Sequence, residues 1–330
     1  SGVVVYGTKP YTPQEGVTYH HCENEAALLT QFLSDWRGKG DYPDIVTGWN
    51  VQFFDMPYLV NRVSRVLDES AMLKFSPLGR IAQRTVTLHG RDQQVVDIRG
   101  VAILDYLELY KKFTYTQQES YRLDHIAHIE LGKRKLSYDE YRSLAKLYRE
   151  NHQKFIDYNI QDVELVDELD QKLKLIELVC ALAYSAKANY VDTFRQVRLW
   201  DIMIYHYLRA RHVQIPPRRE VEKTEQYAGA FVKDPLVGQH EWVVSFDVAS
   251  MYPHIIREWN LSPETLMSKV RGTWHTIDQL LNQPSVFAYL ADGDHVPDGY
   301  ALAANGVLTR RDTEGFLPAM LKTLYDERVR

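Results

Sequence analysis

Cysteine is scarce in this chain of 330 residues, which has only Cys22 and Cys180. Two cysteines so far apart exclude a disulfide-stapled scaffold and agree with a reducing compartment. No apolar run approaches the roughly 20 residues needed to cross a bilayer. The N-terminus also lacks the basic, apolar and small-residue succession of a signal peptide, so a cytoplasmic location without membrane contact is the expectation. Positive charge is not in excess either. The net charge of −5 argues against a uniformly basic nucleic-acid coat, although positive potential can be confined to a cleft. His20-His21-Cys22 has no second ligand pair at structural-zinc spacing and reads as a loop or strand edge.

What is present is an ordinary globular composition, 45% hydrophobic and 25% charged, in a chain long enough for two or three domains. It is organised around Trp242 to Ile256, WVVSFDVASMYPHII. Trp242, Val243, Val244 and Phe246 have the pattern of a short buried strand, and Asp247 stands where that strand meets solvent. A carboxylate there can hold a metal, or merely cap a turn. Ser250 and Met251 then offer backbone N–H groups at a turn that can cradle phosphate oxygens, with Tyr252-Pro253 fixing one ring beside them. The outline is that of a nucleotide site.

Upstream, Asn24 caps a helix whose Leu28, Leu29, Phe32, Leu33 and Trp36 share a face, stopped by Gly38 and Gly40. Ile45 to Thr47 is a short strand with Gly48-Trp49-Asn50 as its exit. Asp55 precedes Met56-Pro57 at the start of a second helix, and by residue type alone it is an N-cap. Arg84 to Ile98 reads as a hairpin around His89-Gly90. His125 and His128 lie i, i+3 on a helix without an accompanying carboxylate motif, which disfavours ligation. The basic turn Gly132-Lys133-Arg134-Lys135 either touches phosphate or is simply solvated. In Asn151 to Val166, Tyr158 and Asp162 share a helical face while Ile160, Val163 and Val166 turn to the core. Helical runs over Glu164 to Ala188 and Thr193 to His212 follow, closed by Ile215-Pro216-Pro217.

Several of these stretches carry one resemblance. Asp247, Ser250, Tyr252 and Pro253 resemble the first palm motif of family B DNA polymerases, Asp-x-x-Ser-Leu-Tyr-Pro-Ser-Ile, with Met251 and His254 replacing the Leu and the second Ser. The following IIREWNLSPETL is similar to the replicative polymerases of T-even phages. TGWNVQFFDMPYLVNR, with Asn50 and Asp55 as its polar positions, resembles the second motif of the family's 3′–5′ exonuclease, and Tyr158-x-x-x-Asp162 the third. LDYLELYKKF and SYRLDHI continue the likeness. Tyr227-Ala228-Gly229-Ala230 resembles a template-contacting linker whose usual form is Tyr-x-Gly-Gly. Asn305-Gly306-Val307 and GFLPAMLKTLYDERVR resemble the passage into the fingers.

The resemblance implies an α/β chain: a ribonuclease-H-like exonuclease core without its first strands over residues 1–174, a helical connection at 175–217, the first half of a polymerase palm at 218–315 and the start of the fingers at 316–330. It implies Mg²⁺, held in the palm by Asp247 and the Val248 carbonyl and in the exonuclease by Asp55 and Asp162, with Tyr158 orienting the attacking water. Ser250, Met251 and Arg328 would contact the triphosphate of a dNTP, and Tyr252 would lie under its sugar. Asn50, Tyr227 and Gly229 would touch primer-template DNA, and the hairpin would help part the strands. A sliding clamp is the further partner implied.

Two sets of expected signatures are missing. No Asp-x-Glu pair precedes Asp55, Glu23-Asn24-Glu25 at a helix start being the nearest approach, and the fingers motif Lys-x-x-x-Asn-Ser-x-Tyr-Gly and the palm motif Asp-Thr-Asp do not occur. Two-metal chemistry needs carboxylates enough to hold ions about 4 Å apart. The expectation is therefore part of a replicative polymerase with proofreading, inactive by itself. A stand-alone 3′–5′ exonuclease and a non-catalytic DNA-binding subunit of a split polymerase are the alternatives.

Overall fold

Helix α1 (Glu25–Arg37) begins where Asn24 Oδ1 accepts the Ala27 N–H at 2.9 Å and ends at Gly38, whose φ of 49° suits glycine. Its Leu29 and Leu33 are buried against Val60 and Val63 of α2 (Asp55–Val66) and against Phe75. Each such side chain contributes about 1.5–3 kcal/mol of burial. The computed structural model to which these elements belong describes residues 2–38, 40–88, 90–215, 217, 232–269, 298–302 and 307–329. It divides into two units, Ser1–Val213 and Gln214–Arg330.

In the first unit, β1 (Val3–Gly7) pairs in parallel with β2 (Val17–His21). The loop between them is tied to sequence some 140 residues away, with Lys9 donating to the Tyr148 carbonyl and Tyr11 and Gln14 to Asp157 Oδ1. β3 (Ile45–Gly48) pairs in parallel with β6 (Ala102–Asp105), which places Gly48 opposite Asp105. After α2 come α3 (Glu69–Leu73) and the hairpin of β4 (Ile81–Leu88) and β5 (Arg91–Ile98), antiparallel as its sequence requires. α4 (Tyr106–Phe113), α5 (Leu123–Leu131), α6 (Leu144–Glu150), α7 (His152–Leu173), α8 (Leu175–Ala186) and α9 (Gln196–Arg209) complete the unit.

The helical run from Glu164 to Ala188 is divided between two helices, because Lys174 takes a left-handed conformation, φ 52°, and separates α7 from α8. One expectation for α7 needs correction. Val163 does not turn to the core; it is 62% exposed. The helix changes its buried face along its length: Ile156 and Ile160 pack with Tyr11 and the β1–β2 pair, whereas Leu165, Val166 and Leu169 pack with α4, α5 and α8. Val163 falls between the two faces.

The second unit holds α10 (Met251–Glu258), a three-stranded antiparallel sheet in the order β7 (Leu266–Lys269), β9 (Val307–Arg310), β8 (Tyr300–Leu302), and α11 (Phe316–Val329). The buried strand expected over Trp242 to Phe246 is not formed, and Trp242 and Phe246 are more than nine-tenths exposed. A strand exists only through ladder bonds to a neighbour, and among the described residues none pairs with this segment. The turn expected after Asp247 is the entry to α10, with Ser250 left-handed at φ 53° and Pro253 in the first helical turn, where a missing N–H costs nothing. Among the described residues no helix is long and apolar enough to cross a membrane.

Candidate active sites

The first candidate site grows from the end of β3. Beyond Gly48 the chain turns sharply, with Asn50 at φ 65°. Trp49 anchors the turn by donating from its indole to the Tyr121 carbonyl at 3.1 Å and by packing on the rings of Tyr106 and Tyr110. The Asn50 carbonyl accepts the N–H groups of Phe53 and Phe54, which leads the chain into α2. Asp55 is the first residue of that helix. It is not the N-cap its residue type suggests, since Phe54 holds that position and no side chain caps it. The side chain stays at the surface, free of capping, and burial of its surroundings pushes its pKa up. An acid in the first turn also suits the helix dipole.

The loop is held from below by a residue that no sequence motif singles out. Asp105, fully buried at the end of β6, accepts three backbone N–H groups at 3.0 Å: Asn50 and Leu107 on Oδ1, Gln52 on Oδ2. Desolvation raises its pKa, and the three donors oppose that shift. Its place before a helix hints at a cap and nothing more; bonds to residues more than 50 positions away leave no signature in the sequence.

The second cluster lies on α7, where Tyr158 and Asp162 share a face as their spacing requires. The Lys135 ammonium stands 2.8 Å from each carboxylate oxygen of Asp162, hydrogen-bonding Oδ2, and 5.4 Å from the Tyr158 ring centre. Asp162 Oδ1 is buried without a hydrogen bond. Burial raises the Asp162 pKa, with Lys135 working against it, and burial together with Asp162 raises that of the Tyr158 phenol. The basic turn is largely exposed over Gly132 to Arg134 but tied down: Asp124 accepts the Lys135 N–H at 2.8 Å and Lys133 pairs with Glu168. His125 is partly buried and His128 exposed. Glu25, of the nearest Asp-x-Glu approach, is bound by Arg62 through both oxygens.

In the second unit Asp247 and Val248 lie in exposed coil, Tyr252 is 70% exposed, and Arg328 is exposed on α11. A cavity of about 790 Å³ opens between α10 and α11, lined among others by Val248, Met251, Arg257, Arg311 and Lys322. Its rear is fixed by Asn260, whose amide donates to the carbonyls of Arg310 and Thr313 while its Oδ1 accepts the Gly315 N–H at 2.8 Å. Tyr227 and Gly229 lie outside the described residues, as do Asn305 and Gly306.

A metal at Asp162 would have to take the place of the Lys135 ammonium, 2.8 Å from Oδ1, and the set around it is not complete. Among the described residues no group of three or more His, Cys, Asp or Glu is placed to hold a metal ion. Lys135 supplies the positive charge at Asp162 in this structure.

Residues 5–126 match the exonuclease domain of DNA polymerase family B, and residues 188–330 match DNA polymerase family B itself. The DNA-directed DNA polymerase of Escherichia phage RB69 is 35% identical over 94% of this chain and 33% of its own length. That of Enterobacteria phage T4 is 36% identical over 96% of this chain and 34% of its own. DNA polymerase 1 of Sulfolobus acidocaldarius is 28% identical over 78% of the chain. The chain thus spans about a third of the length of the two phage relatives. With an exonuclease match and a polymerase match of one family following each other along the sequence, the chain belongs to the family B DNA polymerases.

Proposed function

We propose that this chain is the proofreading and first palm portion of a phage replicative DNA-directed DNA polymerase, acting in the host cytoplasm on primer-template DNA and dNTPs, with a sliding clamp as a further partner. Its exonuclease part, residues 1–174, takes a ribonuclease-H-like core; residues 175–217 connect it, 218–315 begin the palm and 316–330 begin the fingers. The observation that carries the reading is the presence, in one unit, of the Asn50–Asp55 loop at a strand end and of Tyr158 and Asp162 on one face of α7.

In this reading Asn50 binds the single-stranded primer end, and Tyr158 orients a water for attack on its last phosphodiester. Asp55 and Asp162 are the residues that would hold Mg²⁺ there, which would supply the charge that activates water and stabilises the leaving oxygen. Two carboxylates, one of them bound by Lys135, do not close such a site. In the palm, Asp247 and the Val248 carbonyl are the corresponding metal-binding groups. Ser250 and Met251 offer N–H groups at the α10 entry to a triphosphate, Arg328 adds a cation on α11, and Tyr227 and Gly229 contact template.

Titrating a labelled single-stranded oligonucleotide into the chain at two salt concentrations tests this. Binding should be weak and should fall steeply with salt, because a chain of net charge −5 owes such contacts to a few local cations. Tight binding indifferent to salt would point instead to a dedicated module that stacks bases.

A further inference from the structure

Asp105 is an expensive residue to bury. It is fully inaccessible, and among the described residues no cation pairs with it and three backbone N–H groups are its only hydrogen-bond donors. An uncompensated buried carboxylate costs several kcal/mol, and a serine or asparagine would cap α4 without that cost. Capping uses only one of the three bonds, the one from Leu107. The other two reach back across more than 50 residues to Asn50 and Gln52, on either side of buried Val51.

Those two bonds hold a conformation that local preference does not. Asn50 is left-handed, which asparagine tolerates at a cost that glycine would not bear. Gly48, directly opposite Asp105 in the sheet, is packed so closely that a Cβ there would meet the Val51 Cβ at 3.2 Å. The loop is therefore pinned between the strand pair and a buried anion, and its free side presents Asn50 and the start of α2.

We propose that Asp105 is a positioning residue for single-stranded DNA: its carboxylate fixes the Asn50 and Gln52 amides so that the Asn50 side chain meets the primer end. This rests on the exonuclease reading of the loop. Two oxygens serving two neighbouring amides fix the loop's orientation, which a single-acceptor cap cannot do. Desolvation raises the carboxyl's pKa, so its proton is more readily retained there than on a free aspartate.

The test uses the whole chain, a short fluorescent oligothymidine and three substitutions. Asp105→Ser keeps a good cap for α4 but cannot span to Gln52, Asp105→Asn keeps the shape with one acceptor oxygen, and Asn50→Ala removes the contacting side chain. Each should weaken oligothymidine binding by about 3- to 10-fold, the size of one hydrogen bond. Asn50→Ala combined with Asp105→Ser should be no weaker than the weaker single variant, because the two act through one contact. Multiplying losses, or Asp105→Ser lowering the melting temperature with affinity unchanged, would overturn the inference and leave Asp105 a structural cap. If Asp105→Ser does not fold, the comparison rests on Asp105→Asn. Should the unaltered chain bind and depend on Asn50 while both Asp105 variants bind equally well, this inference alone falls. Should Asn50→Ala make no difference, the exonuclease reading of the loop falls with it.

Discussion

Both oxygens of Asp162 face the Lys135 ammonium at 2.8 Å, only Oδ2 in a hydrogen bond, and burial has already raised the carboxyl's pKa. Because the folded pKa lies above the unfolded one, the fold favours the protonated acid; the ionised form destabilises at higher pH, and that penalty is relieved as pH falls through the raised value. Lys135→Ala removes the one cation that opposes the shift. The variant should lose about 1–3 kcal/mol at neutral pH, the cost of stranding a partly buried acceptor, and the deficit should shrink on acidification. Urea midpoints at neutral and mildly acidic pH measure this, and a deficit that grows as pH falls would contradict the role of Lys135. Tyr252 allows a cleaner separation. It is 70% exposed, so Tyr252→Ala should leave the stability of this chain within about 0.5 kcal/mol. A larger loss by thermal melting would mean that the ring packs to fix the turn before Pro253 and does not wait for a sugar.

The entry of α7 contains a group that works against the fold in acid. Both ring nitrogens of His152 are buried without partners, between the edge of Tyr148 and the face of Phe155, and burial followed by the charge of Lys9 lowers its pKa. A base whose folded pKa is lowered takes up its proton more readily in the unfolded chain. Stability is then lost as pH falls below the unfolded value of about 6.5. His152→Phe should flatten the melting temperature between pH 8 and pH 5 relative to the unaltered chain, and an unchanged slope would clear His152 of the effect. Elements with local signals were legible: Asn24 and Gly38 bounded α1, and the β-rich runs around Gly90 gave the hairpin. What depends on distant partners was not. Trp242 to Phe246 reads as a strand but, among the described residues, has no neighbour to pair with, and Val163 obeys a stripe that α7 abandons halfway. Asp105 and Lys135 act on residues 27 to 55 positions away, beyond any periodicity. The Tyr158–Asp162 pair was legible because a helical spacing alone places both on one face.

At the scale of the molecule, each unit carries carboxylates that the proposed reading assigns to a metal site of its own. The first unit has Asp55 at the surface and Asp162 bound by Lys135; the second has Asp247 in exposed coil. No Asp-x-Glu pair precedes Asp55, the Asp-Thr-Asp motif does not occur, and no metal-holding group of three appears among the described residues. Two-metal phosphoryl transfer needs ions about 3.5–4 Å apart, clamped by enough carboxylates to offset their mutual repulsion. The chain by itself should therefore neither extend a primer nor shorten single-stranded DNA, in Mg²⁺ or in Mn²⁺, beyond the level of its own Asp247→Ala and Asp162→Ala variants. Gel assays with a labelled primer-template and a labelled single strand measure both reactions at once. Exonuclease activity that survives repurification and vanishes in Asp162→Ala would show that Lys135 yields its place and that the carboxylates present are sufficient. The chain would then be a stand-alone exonuclease and not a portion of a larger catalytic assembly. Without activity, a longer polypeptide that also carries Asp-x-Glu should gain exonuclease function that again depends on Asp162, because the chemistry requires both halves of the set on the same metals.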